Sequence, residues 1–309
     1  MKKSILILSL MILAVFQAQT QNSANQTTAS IFAGWDEGDQ QLLQVNNTKE
    51  RRMNGTLQQE TSSSYEARLN VAQASEKGYT IHWTFRNIVT GQQQNPILQH
   101  LARMTEDMTV IYKTGPKGAF NELINWEEIR DHLNKALDEM EQQYGQNPQV
   151  KAAFNQIRSM FQTRESIEQS LIKEIQLYHS LYGGEYTLNK EVKAASTLPN
   201  ILGGEPFPAV LSVEMTELKP QKQSCRVKVS QRIDKEKGSE ILHDFARKMA
   251  RTSGSEMPDQ QKLPDFEITD QQEYQVDLDH GWMKRVYNKR TIRAQGMEQI
   301  QTYEIVPMP

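Results

Sequence analysis

The sequence predicts an α+β fold, a curved antiparallel sheet packed against a long helical hairpin, and three observations carry that prediction. Runs of strict apolar–polar alternation stand toward both ends of the chain, and period two with one apolar face marks a half-buried antiparallel strand. A block at about 121–183 instead repeats its apolar residues every three to four positions, the spacing of an amphipathic helix. Strands before and after one helical block, without an internal repeat, point to a single domain over 31–309.

Ahead of that domain, residues 1–20 have the parts of a bacterial secretory signal. Lys2 and Lys3 precede an apolar run over 5–16, and small or polar residues follow around Ala18 and Thr20. The run is about a dozen residues, short of the ~20 that a bilayer-spanning helix needs, so it is expected to be cleaved rather than to anchor. The lone cysteine is Cys225, far from the cleavage region, so no lipid attachment is expected there. The mature chain is expected in the periplasm or outside the cell, with no transmembrane segment. Residues 21–30, small and polar without periodicity, read as a flexible lead-in.

The first strand pair places Tyr65, Ala67, Leu69 and Val71 on one face, then Tyr79, Ile81, Trp83 and Phe85 on one face of a second run. The turn-forming residues Ala74, Ser75, Glu76, Lys77 and Gly78 between them make these a hairpin. A third strand over 108–112 leads to the helical block. There Asn125-Trp126-Glu127-Glu128 reads as a capping box, with Asn125 accepting from a first-turn amide and Glu128 reaching back. Trp126, Ile129, Leu133 and Met140 form the first stripe, which Gly145 ends. Asn147-Pro148 starts a second helix, a cap followed by proline where its missing amide hydrogen costs nothing. Its stripe of Val150, Phe154, Ile157 and Phe161 resumes, after a phase shift at 163–165, as Ile167, Leu171, Ile175, Tyr178 and Tyr182.

After Gly183-Gly184 the alternation returns, with strands expected at 210–215, 225–233, 274–278, 282–292 and 300–306 and one short helix carrying Ile241, Leu242, Phe245 and Met249. Residues 252–264 read as a loop. Cys225 shares a strand face with Val227 and Val229, which makes it a buried apolar side chain; a nucleophile or an intermolecular disulfide is the alternative. A single cysteine leaves no internal disulfide, so packing must supply stability.

Composition excludes some partners. A net charge of −3, with cations and anions interspersed, gives no reason to expect nucleic acid. The six histidines stand at no metal-ligand spacing and read as solvated or capping residues. No GxSxG serine motif or phosphate-binding glycine loop is present. The most site-like cluster is Asp277, Asp279 and His280, where alternation puts two carboxylates on one face beside an imidazole. Those groups could do acid/base work or hold a divalent cation, or form the solvent face of an edge strand. No cofactor and no metal is implied.

Gly78-Tyr79 opening an aromatic strand, Asn125-Trp126-Glu127-Glu128 opening a helix, Leu198-Pro199-Asn200 leading to Gly203-Gly204-Glu205-Pro206-Phe207-Pro208-Ala209, and a late Gly281-Trp282 strand pair, together with the export signal, resemble secreted Bacteroidetes-type proteins of unknown function. The resemblance implies export and an α+β fold; its motifs are caps and turns, and it carries over no catalytic residue. The functional expectation is a non-enzymatic binding or envelope-associated protein. Its partner would be an apolar small molecule or an envelope protein. An apolar groove between sheet and helices would be lined by Tyr79, Ile81, Trp83 and Phe85, unless that face is simply the core beneath the helices. The competing expectations are a periplasmic hydrolase using Asp277 and Asp279, and an interaction module of an envelope assembly.

Overall fold

The computed structural model describes residues 27–91, 96–198, 206–241, 247 and 266–309. The expected signal peptide, most of the lead-in, the loop at 252–264 and most of the short helix after residue 241 lie outside the described residues.

Two meanders build one sheet. Strands β2 (Gln40–Met53), β3 (Thr56–Ser75), β4 (Gly78–Thr90), β5 (Thr109–Thr114) and β6 (Phe120–Leu123) step outward in one direction. Strands β8 (Val192–Leu198), β9 (Phe207–Lys219), β10 (Ser224–Ile233), β11 (Phe266–Asp277), β12 (Met283–Ala294) and β13 (Met297–Pro307) step inward from the other edge. The two halves meet where β2 pairs with β13, from Met53 opposite Met297 to Leu43 opposite Pro307. The result is an 11-stranded antiparallel sheet whose first and last long strands are its central neighbours. A separate pair joins β1 (Thr28–Ser30) to β7 (Glu185–Thr187), so Thr28–Ser30 of the expected flexible lead-in form a strand.

Helices cover one face of this sheet, but not as a long hairpin. The described helices are α1 (Pro96–Arg103), α2 (Trp126–Tyr144), α3 (Pro148–Ser159), α4 (Arg164–Ser170) and α5 (Lys173–His179), and residues 235–241 are also helical. The fold expectation is therefore corrected: a large antiparallel sheet carries short helices, and the second arm of the expected hairpin is three pieces. The physical cause is local. At the phase shift, Thr163 Oγ1 accepts from the Ser166 amide at 3.2 Å and Ser166 Oγ from the Thr163 amide at 3.0 Å, a reciprocal cap that starts a new helix.

The expected cap at Asn125 is used differently. Its Oδ1 accepts from the Ile111 amide at 2.8 Å and its Nδ2 donates to the Thr109 carbonyl at 2.9 Å, so the side chain extends β5 like a strand residue and pins the start of α2 to the sheet. Asn147 does cap α3, accepting from the Gln149 amide at 2.9 Å. Tight approach also fixes the β3–β4 turn: Gly78 has φ +126°, and a Cβ there would lie 2.1 Å from the Thr114 carbonyl oxygen.

Leu43, Val45, Leu69, Ile81, Trp83, Val110, Val227 and Val276 on the strands pack against Ile129, Leu133, Leu137, Phe154, Ile167, Ile175 and Tyr178 on the helices in one buried cluster. A second, smaller cluster of Leu198, Phe207, Ala209, Ile233, Phe266, Ile268 and Ile292 lies toward the other end of β8–β12. The opposite face is a solvent surface of ion pairs, such as Arg285 with Glu304 at 2.8 Å and with Glu273 at 3.3 Å.

Candidate functional site

Register shows what separates the two apolar clusters. Val45 on β2 is followed on the same side by Asn47 and Lys49, because alternate residues of a strand share a face. Across the sheet, the row through Val45 is apolar: Val227, Tyr274, Val286, Ile305, Val45 and Tyr65 stand opposite one another in turn. The next row is Val213, Val229, Gln272, Asn288, Tyr303, Asn47 and Ser63. The row after that is Leu211, Gln231, Asp270, Arg290, Gln301, Lys49 and Thr61. Two rows of polar side chains therefore cross the helix-covered face, becoming apolar toward β9. They are not sealed: Asn47, Asn288, Arg290, Gln301 and Tyr303 keep partial exposure and Lys49 is exposed.

The start of α5 overlies this strip. Glu174 stands close enough to Tyr65 and Tyr303 to raise the pKa of each phenol beyond what burial alone does. Lys173 stands beside Arg290, Lys49 and Asp270. Within the strip Arg290 grips Asp270 bidentately, Nε to Oδ1 at 2.7 Å and Nη2 to Oδ2 at 2.6 Å, and the aspartate is only 7% exposed. Gln301 donates to the Tyr303 hydroxyl. Burial pushes the Glu174 carboxyl up to about 6. The Lys173 amine is held below the ordinary lysine range, first by desolvation and then by the neighbouring Arg290. Several perturbed groups gathered at one place are a physical pointer to a site.

At the edge of the strip the Tyr65 hydroxyl and the Trp83 ring nitrogen are enclosed and lie within reach of each other, and Asn47 lies beside the Tyr303 hydroxyl. The arrangement suits a molecule with an apolar body and a polar end. It does not assemble a nucleophile with an adjacent base.

The residues singled out from sequence lie elsewhere. Ile81 and Trp83 are fully buried, Phe85 is nearly so, and Tyr79 donates from its hydroxyl to the Ala33 carbonyl at 3.0 Å. Helix side chains fill the space in front of them, with Trp83 meeting Tyr178 edge-on at 6.0 Å between ring centres. Asp277 ends β11, while Asp279 and His280 sit in the following turn. Asp277 accepts from the Asp279 amide at 3.1 Å and pairs with Lys284 at 3.4 Å; Asp279 and His280, 3.3 Å apart, are 54% and 63% exposed. That cluster closes a turn. Among the described residues no group of three or more His, Cys, Asp or Glu side chains is placed to hold a metal ion.

His179 departs from the expected solvated or capping role. It is buried, its Nδ1–H donating to the Gly118 carbonyl at 2.7 Å and its Nε2 accepting from the Tyr112 hydroxyl at 2.8 Å. On the opposite, solvent-facing side of the sheet, Glu191, Ser212, Glu214, Lys228, Gln271 and Glu273 line a shallow groove of about 410 Å³. Sequence reading missed the strip because no strand was expected over 40–53, where the alternation that marks a half-buried strand fails.

No protein-family model matches the sequence, and no curated protein matches it. Among solved structures the chain is similar to lipovitellin, in a structure concerned with its lipid–protein interactions. The identity is 7% and the TM-score 0.40, with 89% of this chain aligned to 25% of that one. The chain thus spans about a quarter of the lipovitellin chain. It is also similar, at 6% identity and a TM-score of 0.19, to DynF from the dynemicin biosynthesis pathway of Micromonospora chersina, over 90% of this chain and 88% of that one. Likenesses at these scores carry no argument about function. No helix among the described residues is long and apolar enough to cross a membrane.

Proposed function

We propose that this is an exported, non-enzymatic binding protein that holds an apolar small molecule, with a polar end, against the helix-covered face of its sheet. The observation that carries the reading is the partly open polar strip between two apolar clusters. A protein that needed this face only as a core would gain stability by making those rows apolar, since exposed polar gaps in a core contribute no burial. The likeness to lipovitellin is too weak to add support. The rest of the proposal, export after a cleaved signal, rests on residues 1–20.

Solvent extraction of the protein purified from the exported fraction, followed by mass spectrometry, tests the reading. A stoichiometric apolar compound supports it. An empty protein whose melting temperature no added amphiphile raises would overturn it, because a ligand that binds only the native state must stabilise that state. Intact mass of the same sample checks export, with a mature chain beginning near Gln19 or Gln21 expected.

A further inference from the structure

Charge across the strip is uneven. Lys49 on β2 and Arg290 on β12 stand in one row on either side of Gln301, and Lys173 opens α5, which packs on β12 and β13 beside them, close enough that both cations disfavour the charge on its amine. Against these three stand two carboxylates. Asp270 is committed to Arg290 through both oxygens, and Glu174 is turned toward Tyr65 and Tyr303. Neither lysine has an ion-pair partner within 4 Å among the described residues. Three cations and two anions leave one positive charge, so a ligand with a single negative charge would balance the strip, whereas a neutral head would leave the excess cation unpaired.

We infer that the strip is a headgroup site for a single-chain amphiphile bearing a carboxylate, held by Lys49 and Lys173 beside the Arg290–Asp270 pair, with its chain running toward β9. The inference rests on the proposed function and adds the ligand class. The direction follows from the register. From Arg290 the row passes Asp270 and Gln231 to Leu211, and its neighbour passes Asn288 and Gln272 to Val229 and Val213. The face turns from charged to apolar over three strand spacings, roughly 14 Å. A linear amphiphile lying across the strands would thus meet cations at one end and partly buried Leu211 and Val213 at the other.

The test uses the delipidated mature protein and two probes of equal chain length, hexadecanoate and hexadecanol, read by displacement of the neutral fluorophore N-phenyl-1-naphthylamine. The expected result is about tenfold tighter displacement by the acid than by the alcohol, a difference of about 1.4 kcal/mol. The double variant Lys49→Gln, Lys173→Gln should lose that preference, so that acid and alcohol displace the fluorophore equally, while still melting cooperatively. Equal displacement by acid and alcohol in the native protein, or a preference that survives in the double variant, would overturn the headgroup assignment and leave the apolar-binding reading standing. Displacement by neither probe would overturn both.

Discussion

At the residue scale, two titratable groups, buried His179 and half-buried Glu174, pull the stability of this protein in opposite directions with pH. Burial holds the pKa of His179 down at about 4, below its ordinary 6.5. The fold therefore keeps it neutral, and its contribution is complete above about pH 6.5 and lost as pH falls toward 4. The gap corresponds to about 3 kcal/mol. Glu174 behaves oppositely. Raised to about 6 from 4.5, it contributes fully below pH 4.5 and loses that contribution as pH rises through 6. Between these limits the two trends offset each other. Glu174→Gln should consequently make the melting temperature fall more steeply between pH 6.5 and 4.5 than in the native protein; parallel curves would refute the paired assignment. Cys225 gives a second check. It is buried beside Val227, as its strand face implied, and burial pushes its thiol up to about 12. Thiol-directed labelling should be slow until denaturant is added, and fast labelling of the native protein would break the β10 register.

At the element scale, the errors and successes of sequence reading have a common physical basis. The hairpin of β3 and β4 was legible because one face of Tyr65, Ala67, Leu69 and Val71 is buried while its neighbours meet solvent. Strand β2 was not, because beyond Val45 the residues on its helix-facing side are Asn47 and Lys49, which lie in the polar strip, and then exposed Arg51; a strand over a polar site has no alternation to show. The helical block misled in the other direction. Its apolar spacing continues past Met160 and Ser170 with no glycine or proline to mark the breaks, and the cap at Thr163 uses Ser166 where a glutamate is the usual sign. Helix α3 now carries a sharper expectation. Phe154 is its buried residue while Ile157 is partly exposed, so Phe154→Ala should cost about 3–5 kcal/mol. Ile157→Ala should cost clearly less, and Gln156→Ala, on the exposed side, no more than about 0.5 kcal/mol. Denaturant melts of the three variants test this order; equal losses would remove α3 from the core.

At the scale of the whole molecule, the pairing of β2 with β13 is what turns two meanders into one face wide enough to carry the strip. Asn47 and Lys49 come from the first half of the chain, and Tyr303, Arg290 and Asp270 from the second. The strip exists only once residues about 250 apart have paired, and pairings of such sequence separation form slowly. That also explains why motif search could not find it: its members have no fixed spacing along the chain. Only the register of the sheet, which sets them in two adjacent rows, brings them together. The direct measurement of the central claim is amide hydrogen exchange of the delipidated mature protein with and without saturating hexadecanoate. Slower exchange is expected in 45–49, 286–290 and 301–305, the segments that floor the strip, with no change in the solvent-facing turn at 278–281. Protection confined to the edge strands or to that turn, or none anywhere despite measurable binding, would contradict that claim.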